Sequence, residues 1–280
     1  MSEETRVSKN KFHGLWALTN RDLKKWYQNP IVFIIGIIQP ILWLALLGKA
    51  MNIGAIIPTG IPGINSIAIM QKTFGTSDYF SFMAMGMVAF TTVFTSAFVG
   101  ISVVFDRRLG FMNKVLSTPV SRSVIIISKV ISASIRSVFQ AAIVTGIAFL
   151  LGLQLGVNFT AFSIFGVFAI VFLIGFGLSS MFTAITLRTT RMETPQAIFN
   201  LVTLPLMFAS SAYFPIGNMP GWLQTIANAN PISYTIDAVR RLMIFGDGYS
   251  RLPLDFAFVG IFAAVVTGIC VMLSWRFLNK

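Results

Sequence analysis

Residues 105–122 read FDRRLGFMNKVLSTPVSR, a basic insert held between two long apolar runs. Read as a helix from Arg107, it places Leu109, Met112, Val115 and Leu116 on one stripe at helical spacing, with Arg108, Asn113 and Lys114 off that stripe. Thr118-Pro119 ends it, because proline has no backbone N–H and pushes the preceding residue out of the α region. A short amphipathic helix pinned between two membrane spans is placed to press on a partner. The same cations also read as a topology signal, since Lys and Arg collect on the cytoplasmic side of membrane proteins.

Composition around the insert sets the class. Of the 280 residues, 55% are hydrophobic and 11% charged, whereas soluble domains are about a quarter charged. An all-α integral membrane protein is therefore expected. A net charge of +12 would suggest nucleic acid in a soluble protein, but here most cations sit beside apolar runs, where anionic lipid and topology account for them. Membrane lipid is thus an expected partner and nucleic acid is not. The single cysteine, Cys270, lies inside an apolar run, where it can form neither an intrachain disulfide nor a metal cage.

Upstream, residues 1–30 form a cytoplasmic N-terminus, and no apolar stretch precedes Ile31 that would read as a cleaved signal. Between Lys11 and Gln28, Phe12, Leu15, Trp16, Leu23, Trp26 and Tyr27 share about a third of the helical circumference, with Lys11, Arg21, Lys24 and Gln28 opposite. That pattern predicts a helix lying in the headgroup plane, anchored by Phe12, Trp16, Leu23 and Trp26. Residues 31–280 read as one membrane domain, with spans at about 31–50, 80–104, 137–155, 159–187, 196–214 and 256–275. Gln39-Pro40 and Pro205 predict kinks, and Lys49 is expected to snorkel to the far interface. Val124 to Gly152 is too long for one span, so Lys129 and Arg136 mark an interfacial start to the third. Two small-residue stripes, Ser137/Ala141/Thr145 and Gly260/Ala264/Gly268, suit close helix contact.

Charge asymmetry orients the spans. The N-terminal segment and residues 107–136 each hold six Lys or Arg, against Lys72 alone in the first outer loop and none in the second. Six spans with both termini in the cytoplasm follow.

Residues 213–243, YFPIGNMPGWLQTIANANPISYTIDAVRRLM, form the second informative stretch. Pro220 suits the first turn of one helix, Asn230-Pro231 caps and starts another, and Asp237 reaches Arg240 and Arg241 at helical spacing. Its apolar patches are too short to span.

Both stretches resemble the ABC type 2 transporter permeases, in the branch similar to daunorubicin-resistance membrane subunits. FDRRLGFMNKVLSTPVSR is similar to their loop after the second span, and FP-x-x-x-MPGWLQ-x-x-x-x-x-NP-x-x-Y to the element before their last span. The likeness covers almost the whole chain. It departs at Arg108 and Asn113, where the family commonly carries glutamates, so a family ion pair through those carboxylates is not carried over. The resemblance implies an in-plane N-terminal helix and a pair of short helices re-entering the outer leaflet, here with Pro215, Pro220, Trp222, Asn230, Pro231 and Tyr234 as an extracellular gate segment. It also implies a separate nucleotide-binding ATPase in two copies, a second permease copy forming a homodimer or heterodimer, and a coupling role for Arg107, Arg108, Leu109, Met112, Lys114, Val115 and Leu116.

The residues narrow the function further. Ion-coupled carriers keep an acidic side chain within a span, and every Asp and Glu here lies at a helix end or in a loop. There is no phosphate-cradling loop, since the Gly152/Gly156 pair is followed by Val157 rather than a lysine. No nucleophile or metal set appears around His13, the one histidine. The expectation is a non-enzymatic permease in the plasma membrane with no cofactor of its own, ATP and magnesium being held by the partner. It would export hydrophobic drugs, lipids or similar amphiphiles. Export of a lipid-linked polysaccharide, or a non-transporting scaffold, are the alternatives.

Overall fold

The computed structural model describes residues 11–46, 66–117, 120–189, 191, 193–245 and 249–277. Every regular element among them is helical: α1 (Lys11–Tyr27), α2 (Pro30–Trp43), α3 (Ser66–Phe74), α4 (Tyr79–Arg108), α5 (Phe111–Leu116), α6 (Arg122–Leu150), α7 (Ala161–Thr186), α8 (Glu193–Phe208), α9 (Gly221–Ala229), α10 (Pro231–Met243) and α11 (Leu252–Phe277), with a single 3₁₀ turn at Ile216–Asn218. Four stretches are long and apolar enough to cross a membrane: Ala68–Arg108, which takes in α4, then Arg122–Leu150, Ala161–Thr186 and Leu252–Arg276. Two of the expected spans appear as shorter helices, α2 with 14 residues and α8 with 16. Lys49 lies outside the described residues.

Helix α4 is the axis of the bundle. Asp78 caps it by accepting from the Phe80 and Ser81 amides at 3.2 and 3.0 Å, which satisfies two of the amides a helix N-terminus leaves unpaired. Every residue from Tyr79 to Val93 is buried, because α6, α7 and α10 all pack on this helix. On α11 only Asp255, Val259, Ala263, Cys270 and Ser274 are buried, at spacings of four or seven that keep to one side of a helix, so a single stripe meets α7. The rest of α11 carries large exposed apolar side chains such as Ile261, Val265 and Met272.

Both small-residue stripes can now be placed. Ser137, Ala141 and Thr145 are buried, and Ser137 Oγ lies 3.3 Å from where Gly175 of α7 would carry a Cβ, so α6 and α7 approach as expected. Gly260, Ala264 and Gly268 instead face away from the described chain, and a Cβ on either glycine would meet open space. Helix α6 runs unbroken from Arg122 to Leu150, carrying Lys129, Arg136 and the stretch from Ser137 on in one helix. Helix α8 stops at Phe208 rather than 214 because the Asn230 side chain takes up its last carbonyls, donating to Leu206 O and Ala209 O at 2.6 Å each.

Candidate functional site

The two ends of the bundle hold different chemistry. At the basic end, α4 carries Asp106 in its last turn, α6 carries Lys129 in its second turn, and α1 lies against α6 with Thr19 Oγ1 donating to the Ser128 carbonyl at 3.4 Å. Lys129 Nζ pairs with Asp106 Oδ2 at 2.5 Å, and both side chains are nearly closed to solvent. Such a pair survives burial only if its remaining hydrogen-bond capacity is used. Here it is. Arg21 reaches Asp106 at 3.1 Å and Lys25 reaches it at 3.4 Å, while Lys129 also donates to Ser102 Oγ at 3.3 Å and lies 3.5 Å from Asp22. Three cations and two carboxylates from α1, α4 and α6 form one network.

The basic insert closes onto it. Gly110 takes φ +71, a left-handed conformation open to glycine, and breaks the helix expected from Arg107 into the end of α4 and the six-residue α5. The break rotates the stripe. Met112 (2% exposed) and Val115 (7%) pack with Val103, Ile125, Ile126, Val130, Leu187 and Cys270, whereas Leu109 is 76% exposed. Helix α5 thus buries the inner part of the stripe within the chain. Phe111 adds a clamp, with the Arg21 guanidinium 3.7 Å above its ring and Lys25 at 5.2 Å. What faces outward is Arg108, Leu109, Lys114 and Ser117, with Arg107 half-buried. The side chains of Asn113 and Leu116 lie outside the described residues.

Of the expected lipid anchors on α1, Phe12 and Trp16 are exposed, while Leu23 and Trp26 are half-buried. Trp26 meets Phe139 edge-on at 5.4 Å. Arg21, expected on the watery side, is instead held in the ion network. Sequence reasoning missed Asp106, Asp22, Lys129 and Phe111 as a unit. A signal existed: Asp106 is the one carboxylate between Asp78 and Glu193, and it stands at the edge of the basic insert.

At the opposite end, residues 213–243 form the 3₁₀ turn, α9 and α10. Asn230 caps α10 by accepting from the Ile232 amide at 3.0 Å, and Pro231 follows at the first helical position. Its side-chain amide holds the end of α8 at the same time, so one residue ties two helices. Tyr234 donates to Asn228 O at 2.9 Å and stacks on Phe258 of α11 with ring centroids 4.0 Å apart. Trp222 and Pro220 are exposed, and Pro215 is half-buried.

Arg240 is wholly buried. Its guanidinium donates to Phe82 O, Ser211 O and Ala212 O at 3.1, 2.8 and 3.0 Å and lies 3.4 Å over the Phe82 ring. Asp237 was expected to serve both arginines, but it pairs with Arg241 alone, at 2.8 Å. A cavity of about 520 Å³ opens here, lined among others by Phe74, Ser233, Tyr234, Asp237, Arg241 and Asp255.

Apolar helices around a buried axis, a basic short helix clamped at one end and short helices stapled over the other define a polytopic membrane protein. The chain belongs to the ABC-2 type transporter family, whose sequence profile matches residues 13–244. It is similar to a protein designated transport permease ycf38 from Cyanophora paradoxa, 32% identical over 81% of this chain and 73% of that one. A Mycobacterium tuberculosis protein designated a doxorubicin resistance ABC transporter permease, DrrC, is 24% identical over 91% of this chain and 83% of its own length. The daunorubicin resistance ABC transporter permease protein DrrB1 of Streptomyces coeruleorubidus is 26% identical over 60% of this chain and 59% of its own. Members of this family are transmembrane subunits of ABC transporters and are not themselves the ATPase, with which they typically pair.

Proposed function

We propose that the chain is the permease subunit of an ATP-binding cassette exporter that moves hydrophobic drugs, lipids or similar amphiphiles out of the cell. In this reading it sits in the plasma membrane with six spans and both termini in the cytoplasm, two permeases meet two ATPases, and ATP and magnesium are held by the ATPases. The drug-resistance designations of two relatives support the export direction and the amphiphilic substrate class. The observation that carries the coupling half is the two-faced α5. Its inner face is fixed to the bundle by Phe111, Met112 and Val115, Lys114 faces outward on it, and the turn leading into it exposes Arg108 and Leu109. A push on the outer face is handed to α4, α6 and α1 together, because a close-packed core transmits displacement instead of absorbing it. At the other end α9 and α10 form the lid over the outer cavity, and Asn230 carries motion of α8 into it.

The test is reconstitution of the permease with its ATPase in proteoliposomes and measurement of ATP-dependent accumulation of an anthracycline. Accumulation that needs ATP, and that falls when Leu109 and Lys114 are replaced together, is the expected result. Vigorous ATP hydrolysis by the bound ATPase with no movement of any amphiphile would overturn it.

A further inference from the structure

Between α2, α4 and α6 a groove of about 220 Å³ is walled by Pro40, Phe90, Phe94 and Phe98, with Trp26 and Arg136 also lining it. Gln140 in its wall is spoken for, donating to the Gly36 carbonyl at 2.8 Å and accepting from Thr95 Oγ1, which fixes α2 against α6. Arg136 is different. Its Nε donates to Ser132 O at 3.2 Å, so the side chain bends back one turn toward the basic end of the bundle. Among the described residues no carboxylate lies within ion-pair distance of it, and Asp22, the carboxylate whose charge reaches it, is already engaged by Arg21 and Lys129.

A guanidinium at the mouth of an aromatic groove is costly unless an anion accompanies it. Its planar fork suits the oxygens of a phosphate. The groove is smaller than the roughly 300–1,000 Å³ that encloses a drug-sized ligand, yet an apolar slot of this size accepts one chain of a molecule whose remainder stays in the bilayer. Trp26 sits at the same rim, on the helix whose exposed Phe12 and Trp16 suit a headgroup layer. We propose that this groove binds an anionic phospholipid, with one acyl chain against Phe90, Phe94 and Phe98 and the phosphate on Arg136. The site stands whether or not the chain exports amphiphiles.

Native mass spectrometry of the purified full-length permease tests it, with phosphatidylglycerol and phosphatidylcholine of identical chains as the probes. A one-to-one phosphatidylglycerol adduct is expected at a lipid concentration at least tenfold below that needed for phosphatidylcholine. Arg136→Gln should shrink that preference to under twofold, Arg136→Lys should keep part of it, and Lys24→Gln, which removes an exposed charge on α1, should leave it unchanged. Ile35→Trp, which fills the groove without touching the cation, should weaken both adducts and covers the case in which Arg136→Gln does not fold. Millimolar inorganic phosphate should leave the adduct in place, and its displacement would mark a site for a free anion and overturn the lipid assignment. Equal binding of the two lipids, an undiminished preference in Arg136→Gln, or full binding by Ile35→Trp would each overturn it as well.

Discussion

Lys129 and Arg240 are both buried cations that join three or more segments, and the chain neutralises them in opposite ways. Lys129 is met by side-chain carboxylates from α1 and α4, the former also engaged by Arg21 and the latter by Arg21 and Lys25. Arg240 is met by three backbone carbonyls, one from α4 and two from the break after α8. Side-chain partners on separate helices can exchange as those helices slide, whereas a carbonyl moves only if its backbone moves. The partners at the basic end are thus free to exchange, while those at the opposite end are tied to the backbone.

Breaking the staple should have the largest effect. Arg240→Met removes three charge-assisted hydrogen bonds and leaves their carbonyls facing a thioether, a loss of about 3 to 5 kcal/mol. Detergent-solubilised protein should melt roughly 5 to 15 °C lower. A shift under about 2 °C would mean that the carbonyls find other partners, and the contrast with Lys129 would fail.

Second in size is the anchor of α5. Met112→Ala empties a site only 2% exposed, a change that costs about 2 to 4 kcal/mol in a packed core. It should lower the melting temperature even with no ATPase present. Stability equal to wild type would show that the inner face of α5 is loose and that the insert is not a lever.

Asp106→Asn comes third, at about 1 to 3 kcal/mol, because Asp22 remains 3.5 Å from Lys129 and takes over part of its neutralisation. Asp22→Asn in the same background should cost more than it does alone, and a double-mutant cycle measures that excess. Additive effects would show that the two carboxylates do not share the lysine.

How much of this could be read from the sequence differs between the ends. At the end away from the cations the cap was legible: Asn230-Pro231 carries it in two adjacent residues, and the structure forms it as expected. Local rules suffice where partners are one to four residues apart. The basic end was not, since Asp106 meets Lys25 and Lys129 across 81 and 23 residues of sequence. Gly110 hid for a related reason. A lone glycine fits inside an amphipathic pattern, and only its positive φ reveals that Leu109 belongs to a different helix face from Met112 and Val115. Apolar length placed the four long helices, but α8, which carries Pro205 inside it and is held at its end by a side chain 21 residues away, falls short of the span drawn for it.

The smallest effect on stability should come from the exposed side of the insert, and it separates anchor from docking surface. Leu109 is exposed and Lys114 is solvated, so Leu109→Ala and Lys114→Ala should each move the melting temperature by less than the equivalent of about 0.5 kcal/mol. Their effect belongs to the partner. Burial of one leucine in an ATPase groove is worth roughly 1.5 to 3 kcal/mol, a loss of about ten- to a hundredfold in affinity when it is truncated. A surface ion pair from Lys114 contributes only about 0 to 1 kcal/mol. Titration of the purified ATPase onto permease in nanodiscs should therefore show Leu109→Ala binding far more weakly than Lys114→Ala, with both proteins equally stable. If Leu109→Ala binds the ATPase as tightly as wild type while Met112→Ala fails to bind, the docking surface is the face that α5 turns inward. Engagement would then require α5 to leave the bundle, and the ion network around Lys129 would have to open with it.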